Sequence, residues 1–206
     1  DLPPRGALRS RLGITDDAPV LLYMVRLHSL KRPDIAVQSL ITACAAGLDG
    51  HLIMAGHDEH HLAESLRATA HEAGCADRLH ILGVLEGRAL LEAVADSDLL
   101  VAPSEAQENF GMAAAEALAA GLPILTTPNI PVGNWAAEVG AGRTAPVDPD
   151  AFAAAAREML SARESLPAMG QRGAALIRAR FDIRETSARM LAHFESMRHT
   201  GRPLEG

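Results

Sequence analysis

Two glutamates, Glu108 and Glu116, stand with seven residues between them in "SEAQENFGMAAAEALAAGLP", one before a glycine and one after it. On a single continuous helix, eight steps of about 100° would set their carboxylates roughly 80° apart around the axis and about 12 Å apart along it. A general acid and base, or two ligands of one metal, need oxygens close to a common atom, so that chemistry requires the chain to fold back between them. The pattern fits better a loop that carries Glu108 and runs through Asn109, Phe110 and Gly111 into a helix starting near Met112, with Glu116 on its second turn. Free N–H groups at such a helix start favour an anion, typically a phosphate. Acids on both sides suit the hydroxyls of sugars, and a phosphate flanked by sugars describes a nucleotide-sugar.

Such a site needs a frame, and short apolar runs supply it. Residues 19–27, 51–56, 79–83, 98–104 and 123–127 read as buried strands. Helical patterns lie between them: "PDIAVQSLITACAAG" opens on Pro and closes on Gly47, "EHHLAESLRATAHEAG" closes on Gly74, and "GRALLEAVADS" follows the third strand. This alternation predicts an α/β fold, a doubly wound and mostly parallel sheet covered on both faces. Ligands of such sheets bind beyond the carboxyl ends of the strands. There Arg26 ends the first strand, Gly56 the second and Gly83 the third, while Glu108 follows the fourth.

The organisation expected is a linker and short helix over 1–17, a Rossmann-like nucleotide-sugar-binding core over 18–147, helices over 148–198 and a tail over 199–206. Of 206 residues 48% are hydrophobic, ample for a core. A net charge of −7, from 19 basic and 26 acidic residues, argues against nucleic acid as a partner. Cys44 and Cys75 form no disulfide or metal framework and read as reduced core residues. No apolar run is long enough to span a bilayer, and the first residues have no signal-peptide character, which makes the cytoplasm the default compartment.

"VRLHSLKRPDIAV", "LIMAGHD", the run from "HILGVLEG" through "SEAQENFGMAAAEALAAGLPILTT" and "GAGRTAPVDPDAFAAAAREML" together resemble the C-terminal, donor-binding half of retaining GT-B glycosyltransferases of family 4, from about residue 10 to residue 195. The resemblance implies that Arg26 and Lys31 clamp the donor diphosphate. It implies that Glu108 meets the hydroxyls of the transferred sugar near its anomeric centre and that Glu116 binds the ribose. Backbone N–H groups of Gly111, Met112 and Ala113 would meet phosphate oxygens, and the backbone around Val84 and Leu85 would meet the base. Asn109, Phe110 and Gly56 join the donor-binding set. The implied reaction moves a sugar from a nucleoside diphosphate, UDP or GDP, to an acceptor hydroxyl with retention. Arg26, Lys31 and the helix N-terminus would stabilise the leaving diphosphate, so no metal or other cofactor is needed.

The sequence also departs from the family's pattern. The glycine-rich stretch usual after the second strand is here "GHDEHHLAE", and "PNIPVGNWAAEVG" stands where a Gly-Gly-x-x-Glu turn is usual, which leaves base and sugar open. His57, His60 and His61 with Asp58 and Glu59 have the spacing of a metal cluster but no evident fourth ligand, and a polar loop opening a helix explains them more simply. Trp135 is either a loop aromatic near the sugar or, by preference, a core residue. Two other classes are a nucleotide-sugar binding module without transferase activity and a nicotinamide-dependent Rossmann enzyme, the latter lacking a G-x-G-x-x-G after the first strand. A GT-B enzyme reacts its substrates between two such domains, and one alternating unit accounts for this chain. The acceptor-binding domain is therefore expected upstream as the partner of this one, a peripheral membrane contact through it is left open, and this chain alone is expected not to transfer sugar.

Overall fold

The structure, a computed structural model, describes residues 2–200. Six strands, β1 Val20–Tyr23, β2 His51–Ala55, β3 Leu79–Gly83, β4 Leu99–Ala102, β5 Ile124–Thr126 and β6 Gly142–Thr144, form one parallel sheet in the order β3-β2-β1-β4-β5-β6. Every residue of β1 and of β4 is buried, as expected of strands covered on both faces.

Alternation along β1 divides the interior in two. Leu21 and Tyr23 point into a core shared with α2 Pro33–Ala45, α3 Ala63–Glu72 and α7 Pro149–Ser161. Val20 and Leu22 point into one shared with α1 Ala7–Leu12, α4 Gly87–Ala95, α5 Met112–Ala119, α6 Pro131–Glu138 and α8 Leu166–Phe181. The last helix is α9 Ile183–Thr200, and Ile183, Leu191 and Phe194 stand exposed along it. From residue 201 onward the expected tail lies outside the described residues. Among the described residues no helix is long and apolar enough to cross a membrane.

Several boundaries differ from the sequence expectation for identifiable reasons. β1 closes at Tyr23, three residues short of Arg26, because the chain turns there: the buried Tyr23 hydroxyl donates to Arg26 O at 3.0 Å. α3 begins only at Ala63, since the Asp58 carboxylate accepts from Leu62 N at 2.7 Å and Ala63 N at 3.0 Å and holds the preceding residues as a capping turn. The sixth strand, Gly-Arg-Thr, carries no apolar run to announce it. It is specified by pairing with β5, where a Cβ on Gly142 would lie 2.5 Å from Ile124 O.

The order of strands places β1 and β4 side by side while their chains leave in opposite directions, β1 through α2 to β2 and β4 through α5 to β5. The loops after them diverge and open a crevice at the carboxyl edge. At the other end of the sheet, the buried Arg9 guanidinium donates to Thr15 O, Ala18 O and Asp96 O within 3.0 Å and pairs with Asp98, which docks α1 against the start of β4.

At the open edge of the sheet His51 Nδ1 and His80 Nε2 are 3.0 Å apart on neighbouring strands. Burial, then the neighbouring imidazole, holds His80 down to about 4, and burial lowers His51 as well. As pH falls below 6.5 the unfolded chain takes up these protons first, so stability present at neutral pH declines until the folded His80 titrates near 4. We expect the urea midpoint to fall over that window and His80→Phe to make the decline shallower; identical pH dependence in the two proteins would remove this pair from the account.

Candidate functional site

Three loops meet at the crevice, and each is held by specific bonds. Residues 24–32 after β1 are pinned by Tyr23 and by Leu27, whose N–H donates to His57 O at 2.8 Å while its carbonyl accepts from Glu59 N at 3.2 Å. Residues 103–111 after β4 are tied across the crevice by Glu105 N, which donates to Leu30 O at 2.9 Å. They are tied on the other side by Glu108 N, which donates to Asn129 O at 2.9 Å in the loop after β5. Gly56 needs to be glycine, because a Cβ there would stand 2.0 Å from Val25 O. That close approach lets the turn after β2 support the backbone that presents Arg26.

The crevice is a cleft of about 420 Å³. Of the residues read from the sequence, Arg26, Lys31, Glu108, Asn109, Phe110, Gly111, Met112 and Ala113 line it together. Gly56 supports it from behind. Glu116, exposed on the second turn of α5, lies outside the lining and has no side-chain hydrogen bond or ion pair among the described residues. Val84, 58% exposed, and Leu85, half-buried, follow β3 and also stand outside the cleft.

The cations of the cleft are both partnered. Arg26 Nη1 lies 2.5 Å from Glu59 Oε2, with both groups well exposed, and Lys31 Nζ is paired with Glu108 Oε1 in a more sheltered setting. Sequence reasoning missed the residues that build the second pair. Ser104 Oγ donates to Glu108 Oε1 at 3.0 Å, and the Ser104 carbonyl accepts from Thr127 Oγ1 at 2.6 Å and Asn129 Nδ2 at 3.3 Å. The position of Ser104, directly beyond a buried strand and four residues before Glu108, was the available signal. Arg32, in the left-handed region at φ 50°, reaches Glu105 at 3.3 Å and Asp34 at 2.7 Å. It thereby adds a second ionic tie between the two loops that border the crevice.

The floor of the cleft is the start of α5. Its first-turn N–H groups, of Met112, Ala113 and Ala114, have no intrahelical acceptor and no side chain caps them. These donors, with the positive end of the helix, face the cleft beside Lys31 and Arg26 and can take an anion. Gly111 makes the approach possible. Its φ is 96°, and a Cβ would meet Ile130 Cγ2 at 2.3 Å.

Two features of the sequence resolve otherwise than as ligands. In the His57–His61 segment Asp58 caps α3, Glu59 binds Arg26 and the His60 ring lies 3.9 Å from that of His28; among the described residues no group of three or more His, Cys, Asp or Glu is arranged for a metal. Trp135 sits on α6 in an aromatic cluster, 5.8 Å from Phe181 and 6.1 Å from Phe110, with Arg180 5.4 Å above its ring. Phe110 meets Phe181 edge-on at 5.0 Å, so this cluster joins the cleft to the end of α8. A second cavity of about 420 Å³ lies at the opposite edge, lined by Leu166 and Pro167 at the start of α8, and its Arg5 and Arg163 are both held by Asp98.

The family model described as glycosyl transferases group 1 matches residues 4–175. A D-inositol 3-phosphate glycosyltransferase of Xylanimonas cellulosilytica is 34% identical over 156 residues, covering 72% of this chain and 33% of the relative. One of Thermobispora bispora is 32% identical over 205 residues, covering 91% of this chain and 45% of the relative. The chain thus spans between a third and just under half of the length of these relatives. Among solved structures, Anabaena HepE in complex with UDP and glucose superposes with a TM-score of 0.79 at 21% identity, over 92% of this chain and 51% of that one, a likeness of fold.

Replacing Gly111 by alanine forces a side chain into the left-handed region and onto Ile130, which should cost about 1–3 kcal/mol of stability. Urea denaturation measures it, and an unchanged midpoint would show that the loop relaxes freely.

Proposed function

This chain belongs to the glycosyl transferases group 1 family, and from that premise we propose that it binds the nucleoside diphosphate sugar of a retaining sugar transfer to an acceptor hydroxyl. The observation that carries the reading is the convergence, in one cleft, of Arg26, Lys31 and the uncapped start of α5 beside Glu108. Phosphates lie against the N–H groups of Met112 and Ala113 and draw Arg26 and Lys31 from their carboxylates. Negative charge building on the leaving diphosphate is then met by fixed donors and two cations, without a divalent metal. Glu108, at the mouth of the same cleft, faces the transferred sugar, while Glu116, one turn further along α5, takes the ribose, and Val84 and Leu85 lie toward the base.

The UDP held by HepE makes uridine nucleotides the first probes, with guanosine nucleotides beside them. The D-inositol 3-phosphate glycosyltransferases make a phosphorylated inositol the first acceptor to offer a longer form of the protein. Acceptor binding in this reading belongs to the additional length of the relatives, and the reaction to the cytoplasm.

Calorimetry on this chain tests the reading. UDP or GDP, or their sugars, should bind equally well with and without a chelator; affinity that appears only with magnesium or manganese would overturn the phosphate site. The two glutamates should separate. Glu116→Ala should weaken the bare nucleoside diphosphate, and Glu108→Ala chiefly the sugar-bearing donor, each by roughly tenfold to a hundredfold, the worth of a charge-assisted hydrogen bond. Equal losses for both ligands in both variants would refute this division of roles.

A further inference from the structure

We propose that Ser104 is the positioning residue for Glu108, holding one carboxylate oxygen so that the other faces the sugar; this rests on the reading of the cleft as the donor site. Glu108 Oε1 has two donors, Lys31 Nζ and Ser104 Oγ. They differ in what a diphosphate does to them. Lys31 sits on a flexible stem and lines the cleft, so an anion at the start of α5 competes for it. Ser104 is 3% exposed at the end of β4 and has nowhere to go.

The serine is fixed from behind by the loop after β5, through the bonds that Thr127 and Asn129 donate to its carbonyl. Its single hydroxyl proton has three acceptors within reach: Leu30 O at 3.4 Å, Ala106 O at 3.1 Å and Glu108 Oε1 at 3.0 Å. The carboxylate is the nearest and the only charged one, and a charge-assisted bond outweighs a neutral one. The backbone of Glu108 is anchored to the same loop through Asn129 O. When Lys31 passes to the phosphates, the serine bond therefore remains, and Glu108 keeps its rotamer instead of swinging into solvent. Glu108 Oε2 has no hydrogen bond among the described residues and is the oxygen left to meet a sugar hydroxyl.

The test measures, by calorimetry, affinity for UDP against UDP-glucose and for GDP against GDP-mannose. The quantity read is the gain that the sugar adds over the bare diphosphate. Ser104→Ala should reduce that gain roughly tenfold, the worth of one charge-assisted hydrogen bond, and leave bare diphosphate within about twofold, a control that the cleft is folded. Ser104→Thr, which keeps the hydroxyl, should retain the gain. In a Glu108→Ala background, which removes the acceptor, Ser104→Ala should cost nothing more, because the serine acts only through that side chain. If Ser104→Ala fails to fold, Ser104→Cys, similar in volume and a weaker donor, reads the same gain. Parallel loss for bare and sugar-bearing ligands, or full additivity with Glu108→Ala, would overturn the role. A wild-type chain that binds none of these nucleotides would instead overturn the donor-site reading itself, and the proposal with it.

Discussion

The ion pair between Lys31 and Glu108 spans a gap that the sheet cannot close by itself. Backbone pairing between β1 and β4 ends with the strands, and the two chains then depart to opposite faces. Whatever joins them beyond that point must come from side chains or from loop backbone. Here the join includes Lys31 to Glu108, Arg32 to Glu105, and the carbonyl of Leu30 accepting from Glu105 N. With these in place the crevice keeps a defined width, and the start of α5 has a wall facing it.

The same pair bears on how an acidic protein could keep the anion site proposed above. The chain carries a net charge of −7, and neither cation in the cleft stands alone. The exposed pair of Arg26 with Glu59 is stabilising by about 1 kcal/mol or less. In the proposed reading a diphosphate would offer both cations a denser charge, together with helix N–H groups that no side chain caps. Under that proposal binding is an exchange of partners and not the filling of a bare positive patch, and the resting molecule pairs both cations with carboxylates.

Much of this was legible in the chain. Strands buried on both faces must be continuous apolar runs, and "PVLLY" and "DLLVA" can be little else; the loops that follow them carry Arg26, Lys31 and Glu108 for the same topological reason. The glycine before the α5 helix marked where that helix would start. What the chain concealed depends on partners far away in sequence. Gly142-Arg143-Thr144 is a strand only because Ile124-Leu125-Thr126 lies beside it. Ser104 looks like any loop serine until the chain places Glu108 above it and Thr127 behind it. Nor could the spacing of Glu108 and Glu116 say that one would line the cleft and the other stand outside it, since that depends on how α5 is rotated against α8 and β4.

The aromatic cluster gives the molecule an optical property. Trp135 is the only tryptophan of the chain, and its ring packs against both Phe110, which lines the cleft, and Phe181, where α8 hands over to α9. The neighbours of its indole are the cation of Arg180 and two rings that belong to different parts of the fold. The protein thus carries an intrinsic fluorophore, with no label attached, at the place where the cleft loop meets the end of α8.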